Sequence, residues 1–70
     1  MRGAEFLRKI EKLARARNLY YIFVPAHGKG SHGRLELAGR STTLKDRTKE
    51  IGPGLLSFMC SQLGIRKEDL

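Results

Sequence analysis

The chain has one cysteine, Cys60, and no extended apolar run, and each scarcity closes off a class of protein. A lone thiol can neither form an internal disulfide nor join other thiols around a metal, which excludes a disulfide-stapled scaffold and a zinc finger. The longest nearly apolar stretch, Leu19 to Ala26, contains Tyr20, Tyr21 and Pro25 and falls far short of the ~20 residues that span a bilayer. Glu5, Arg8, Lys9, Glu11 and Lys12 interrupt the N-terminal stretch where the apolar centre of a secretory signal would lie. Neither a membrane segment nor a signal peptide is expected, and the chain is read as cytoplasmic. Acidic residues are also few: 7 Asp+Glu against 14 Lys+Arg leave a formal net charge of +7. That excess asks for an acidic partner. RNA or DNA leads, because each neutralised phosphate releases counterions, with an anionic membrane surface or an acidic protein as the other options.

What is present points to a small folded unit. Seventy residues make room for one domain, residues 1–70, and a hydrophobic share of 40% with 30% charged residues is ordinary for a globular chain. From Gly3 to Arg17, Phe6, Leu7, Ile10, Leu13 and Ala14 repeat as one apolar stripe on a helix, and Arg8, Lys12 and Arg15 leave its outer side basic. Leu19 to Val24 is aromatic and β-branched and is stopped by Pro25, which predicts a strand. Arg34 to Ala38 alternates polar and apolar residues as a second strand, and Gly39-Arg40 is the expected turn into a third, Ser41 to Leu44. Lys45 to Gly52 has no periodicity and reads as a charged surface connection. Pro53 suits the first turn of a second helix carrying Leu55, Leu56, Met59, Cys60 and Leu63. Gly64 fits a left-handed helix end with Ile65 turned back on Met59 or Cys60, and Arg66 to Leu70 is expected to fray. The order is α-β-β-β-α, an α+β fold. Both helical stripes are buried only if the helices pack on one face of a three-stranded antiparallel sheet.

The segment between the first two strands, Ala26 to Gly33, holds three glycines and two histidines and is the expected seat of chemistry. Imidazole exchanges protons near neutral pH, so one histidine can serve RNA cleavage, in which the ribose 2′-OH is a built-in nucleophile and no metal or cofactor is required. Lys29 and Arg34 flank His32 as candidate cations, and backbone N–H groups around Gly28, Gly30 and Gly33 are further anion donors. His27 reads as solvated. No carboxylate or thiol completes a metal set with the two histidines inside the segment. Ser31 beside His32 is not a nucleophile–base pair, since adjacent side chains of an extended segment point apart. One of Tyr20 and Tyr21 is left for base stacking. On the residues alone, His32 stays open between proton transfer and a surface or packing role.

Gly28-Lys29-Gly30-Ser31-His32-Gly33, lying between the first two strands of this order, resembles the Gly-Ser-His signature of HicA toxins, the mRNA interferases of bacterial toxin–antitoxin modules. Lys49 to Leu56, followed by Gln62-Leu63-Gly64-Ile65, is similar to the C-terminal segment of that family, and the N-terminal helix is in its usual place. Gly33 and Arg34 depart from the apolar residues that follow the histidine in many members. The resemblance implies a fold like a double-stranded-RNA-binding domain and a metal-independent endoribonuclease with His32 as general acid/base. RNA contacts are expected from Lys29, Gly30, Ser31 and Arg34, with Arg8 and Lys12 on the helix. It further implies an mRNA substrate, a monomeric free toxin, and a cognate HicB-type antitoxin that occludes His32. Two readings of other classes stand beside it: a non-enzymatic RNA-binding module, and a DNA-binding or ribosome-associated basic protein. A binding module needs cations in the segment but has no need of imidazole.

Overall fold

A computed structural model describes residues 1–26 and 32–70; the expectations placed on His27, Gly28, Lys29, Gly30 and Ser31 lie outside the described residues. The elements are α1 (Gly3–Arg17), β1 (Tyr21–Pro25), β2 (Gly33–Leu37), β3 (Arg40–Leu44) and α2 (Pro53–Leu63), followed by a short 3₁₀ turn, Lys67–Asp69. The strands form an antiparallel meander in the order β1-β2-β3. Register places Phe23 opposite Leu35 and Leu35 opposite Thr42, while Val24, Arg34 and Thr43 line up on the other face.

Both helices cover one face. Phe6, Ile10, Leu13 and Ala14 of α1 and Met59, Cys60 and Leu63 of α2 share a core with Leu35, Leu37 and Leu44, and Tyr21, Phe23, Leu56 and Ile65 pack at its margin. Each large apolar side chain removed from water there contributes about 1.5–3 kcal/mol. Thr42, the one buried polar residue among those described, is satisfied by donating its hydroxyl to Gln62 Oε1 at 2.6 Å, which ties β3 to α2. The opposite face, with Ile22, Val24, Arg34 and Thr43, is open. This is the arrangement of a double-stranded-RNA-binding domain. Among the described residues no helix is long and apolar enough to cross a membrane.

Five local expectations shift. β1 starts at Tyr21 because α1 ends on Asn18 in the left-handed conformation (φ 56°, ψ 48°), and Leu19 N–H turns back to the Ala14 carbonyl at 2.8 Å. Pro25 is the last residue of β1, paired with Gly33, so Gly33 belongs to β2 and not to the preceding loop. The β2–β3 turn is Ala38-Gly39, one residue earlier than expected: both have positive φ (51° and 86°), as a two-residue hairpin of matching twist requires. Leu55 is exposed, as is Phe58, because the inward stripe of α2 runs through Leu56, Met59, Cys60 and Leu63. The tail is folded: Asp69 accepts from the Arg66 N–H at 2.9 Å and from Arg17 at 3.0 Å, and Leu70 packs against the core. The end of α2 follows expectation, with Gly64 at φ 75° and Ile65 N–H donating to the Cys60 carbonyl at 3.0 Å.

Candidate active site

The site is built at the end of the β1–β2 pair, at Ala26 and His32. Ala26 N–H donates to the His32 carbonyl at 2.8 Å, carrying the ladder one step beyond the Pro25–Gly33 pair. The backbone of His32 is thereby fixed while its side chain stays exposed. Gly33, next in the chain, is buried beneath the ring of Phe23; a Cβ there would overlap Cζ and Cε1 of that ring and stand 3.0 Å from the Val24 carbonyl. A side chain at position 33 would displace the ring. Over the ring lies the guanidinium of Arg47, its Cζ 5.6 Å from the centroid.

Arg47 comes from the connection after β3, whose last residue, Leu44, pairs with Gly33. That connection is tightly organised. Asp46 Oδ1 accepts from the Thr48 N–H at 2.8 Å and from the Thr48 hydroxyl at 2.6 Å, a side-chain turn that an Asp-x-Thr sequence favours. The start of α1 docks on it. Gly3 N–H donates to the Lys49 carbonyl at 3.1 Å and Ala4 N–H to the Arg47 carbonyl at 2.8 Å, satisfying two of the donors that a helix N-terminus leaves free. Contact is so close at Gly3 that a Cβ would lie 2.6 Å from the Asp46 carbonyl oxygen and 2.8 Å from Arg47 Cα. Arg2 donates to the Thr48 carbonyl at 2.5 Å, and the Met1 ammonium pairs with Glu50.

Electrostatics link this turn to the histidine. The Thr48 hydroxyl, then the Thr48 N–H, hold the Asp46 carboxyl below the usual carboxylate range, and the positive fields of Lys49 and His32 push the same way. An ionised carboxylate therefore stands within electrostatic reach of the imidazole. Cys60 is no nucleophile for this site: it is buried in the core, and desolvation raises its thiol pKa. Among the described residues no group of three or more His, Cys, Asp and Glu is placed to hold a metal ion.

The other expected site residues are spread more widely. Arg34 is exposed on the open face, in β2 two positions beyond His32, with its Nε 3.6 Å from the Glu36 carboxylate. Arg8 is exposed on α1. Lys12 lies nine residues beyond the Gly3 contact, about 13 Å farther along the helix axis, beside Leu13, Arg17 and Leu70. The structure thus does not bring Lys12 to the His32 end. Lys29, Gly30 and Ser31 fall outside the described residues. Nothing in the local sequence marks Phe23 or Arg47 for the site; Asp46 alone has a signal, the Asp-x-Thr spacing within 45–52.

Over 40 residues the chain is 45% identical to a curated protein of Pseudomonas fluorescens (strain Pf0-1) described as "Probable mRNA interferase HicA", a span covering 56% of this chain and 67% of that relative. No family model matches the chain, and no solved structure matches it.

Proposed function

The chain belongs to the HicA family, and from that premise we propose that it is the toxin of a type II toxin–antitoxin pair, an endoribonuclease that cleaves mRNA and so halts translation and growth. The observation that carries the reading is His32: an exposed imidazole on a backbone fixed by the Ala26 hydrogen bond, at the rim of a basic molecule. Neutral His32 takes the proton of the ribose 2′-OH as O2′ bonds to phosphorus, and the P–O5′ bond breaks. The imidazolium so formed returns its proton to O5′, leaving a 2′,3′-cyclic phosphate and a free 5′-OH. Proton and charge balance without a metal. Arg34, Lys29 and the N–H groups of Gly30 and Ser31 hold the RNA backbone, and Arg8 and Lys12 extend the basic surface along α1. The free toxin is a monomer, and a cognate HicB-type antitoxin restrains it by covering His32.

The test is cleavage of a defined RNA by the purified protein and by His32→Ala. Cleavage is expected to persist in EDTA, to yield cyclic phosphate ends, and to stop on RNA carrying 2′-O-methyl groups. His32→Ala is expected to bind RNA and leave it intact. Undiminished cleavage by folded His32→Ala would overturn the assignment. RNA binding without cleavage by the parent protein would favour the non-enzymatic RNA-binding module.

A further inference from the structure

In-line attack on a phosphodiester gathers negative charge on the non-bridging oxygens, and proton transfer at His32 does nothing to neutralise it. A fixed cation aimed at those oxygens is the largest single contribution that such a site can make. Arg34 is two residues away, but it faces the Glu36 carboxylate and shares its charge. Arg47 differs in three respects. It makes no ion pair among the described residues. Its guanidinium lies over Phe23, whose ring rests on Gly33, the residue bonded to His32. Its backbone is held by Ala4 N–H on the carbonyl and by Gly3 against Cα, in a turn locked by Asp46 and Thr48.

A guanidinium held over an aromatic ring by a cation–π contact still has its N–H fork for another ligand, and that fork matches two oxygens of a phosphate. The backbone that carries it is already fixed. We propose that Arg47, seated on Phe23, is the anion-binding residue of the cleavage site: it grips the non-bridging oxygens of the scissile phosphodiester of RNA while His32 moves the proton. This rests on the nuclease reading above and adds a residue to it.

The experiment compares the parent protein, Arg47→Ala, Arg47→Lys, Phe23→Leu and His32→Ala, each first checked for its fold by circular dichroism and thermal melting. Two readouts are taken: single-turnover cleavage of a defined RNA, and the salt dependence of binding to the same RNA with 2′-O-methyl groups, which cannot be cleaved. Arg47→Ala should cleave about 10²–10³-fold more slowly, the loss seen when an oxyanion donor is removed. Arg47→Lys should recover only part, because the point charge remains and the fork is gone. Phe23→Leu keeps the cation and loosens its seat, and should fall between the parent and Arg47→Ala. The logarithmic salt slope should drop by about one phosphate contact in Arg47→Ala. A folded Arg47→Ala that cleaves at the parent rate while His32→Ala is inactive would overturn the proposal and leave the nuclease reading standing. A parent protein that cleaves no RNA would end the nuclease reading and the cleavage role with it; the slope on uncleavable RNA would then decide whether Arg47 binds phosphate at all, and an unchanged slope would exclude that too.

Discussion

The Phe23 ring occupies the space that a side chain at Gly33 would need, so the two residues fit only as an aromatic against a glycine. One neighbour of that space is the Val24 carbonyl, which is backbone and cannot swing aside. Gly33→Ala should therefore destabilise the protein by about 1–3 kcal/mol, the usual result of overpacking a filled site. Urea unfolding measures it. Pairing the change with Phe23→Leu should return part of the loss, and a Gly33→Ala protein as stable as the parent would show that the ring is not seated there.

Asp46 gives a signed pH effect. Its folded pKa is depressed, first by the Thr48 hydroxyl, so its ionised form adds stability above the unfolded carboxyl pKa of ~3.9 and that contribution disappears as pH falls through the lower folded value. The stability difference between the parent and Asp46→Asn should be fully present at neutral pH and should shrink progressively below about pH 4. Denaturant melts at a series of pH values provide the check. A difference that is flat across that window would mean that the carboxylate charge contributes nothing to the turn.

A third expectation concerns the antitoxin. A chain with net charge +7 attracts an acidic protein by its field, and a partner that covers His32 and Arg34 excludes RNA from the same ground. Durable inhibition needs an interface above ~1,000 Å² in total. In a complex with the proposed HicB-type antitoxin, backbone amides from His32 to Leu37 should gain protection from hydrogen exchange, and RNA and antitoxin should compete. Amides at His32 and Arg34 that exchange as fast in the inhibited complex as in the free toxin would place the inhibitory contact elsewhere.

Much of the fold is legible in local pattern. The α1 stripe, the meander and the left-handed end of α2 at Gly64 follow from spacings within a few residues, and the element order then leaves one way to bury both helices. What escapes is set by partners distant in sequence. Nothing around Gly33 announces Phe23 as its neighbour ten positions earlier, and nothing in 66–70 announces Arg17 as the anchor of Asp69. Ala38 adopts positive φ because the twist of the hairpin requires it, against its own preference. The site divides in the same way. His32 and Arg34 are candidates that a local motif singles out, whereas Arg47 is placed by Phe23 and by the first turn of α1, a relation that no local window contains.

The bond from Arg2 to Thr48 joins positions 46 residues apart, the two ends of a segment that includes α1 and the whole sheet. On the ribosome His32 emerges before the turn at 46–49, and the start of α1 waits for that turn. Hairpins close on the microsecond scale, while this longer closure carries the larger entropic cost. The histidine is thus exposed to solvent before its cationic neighbour has a fixed address.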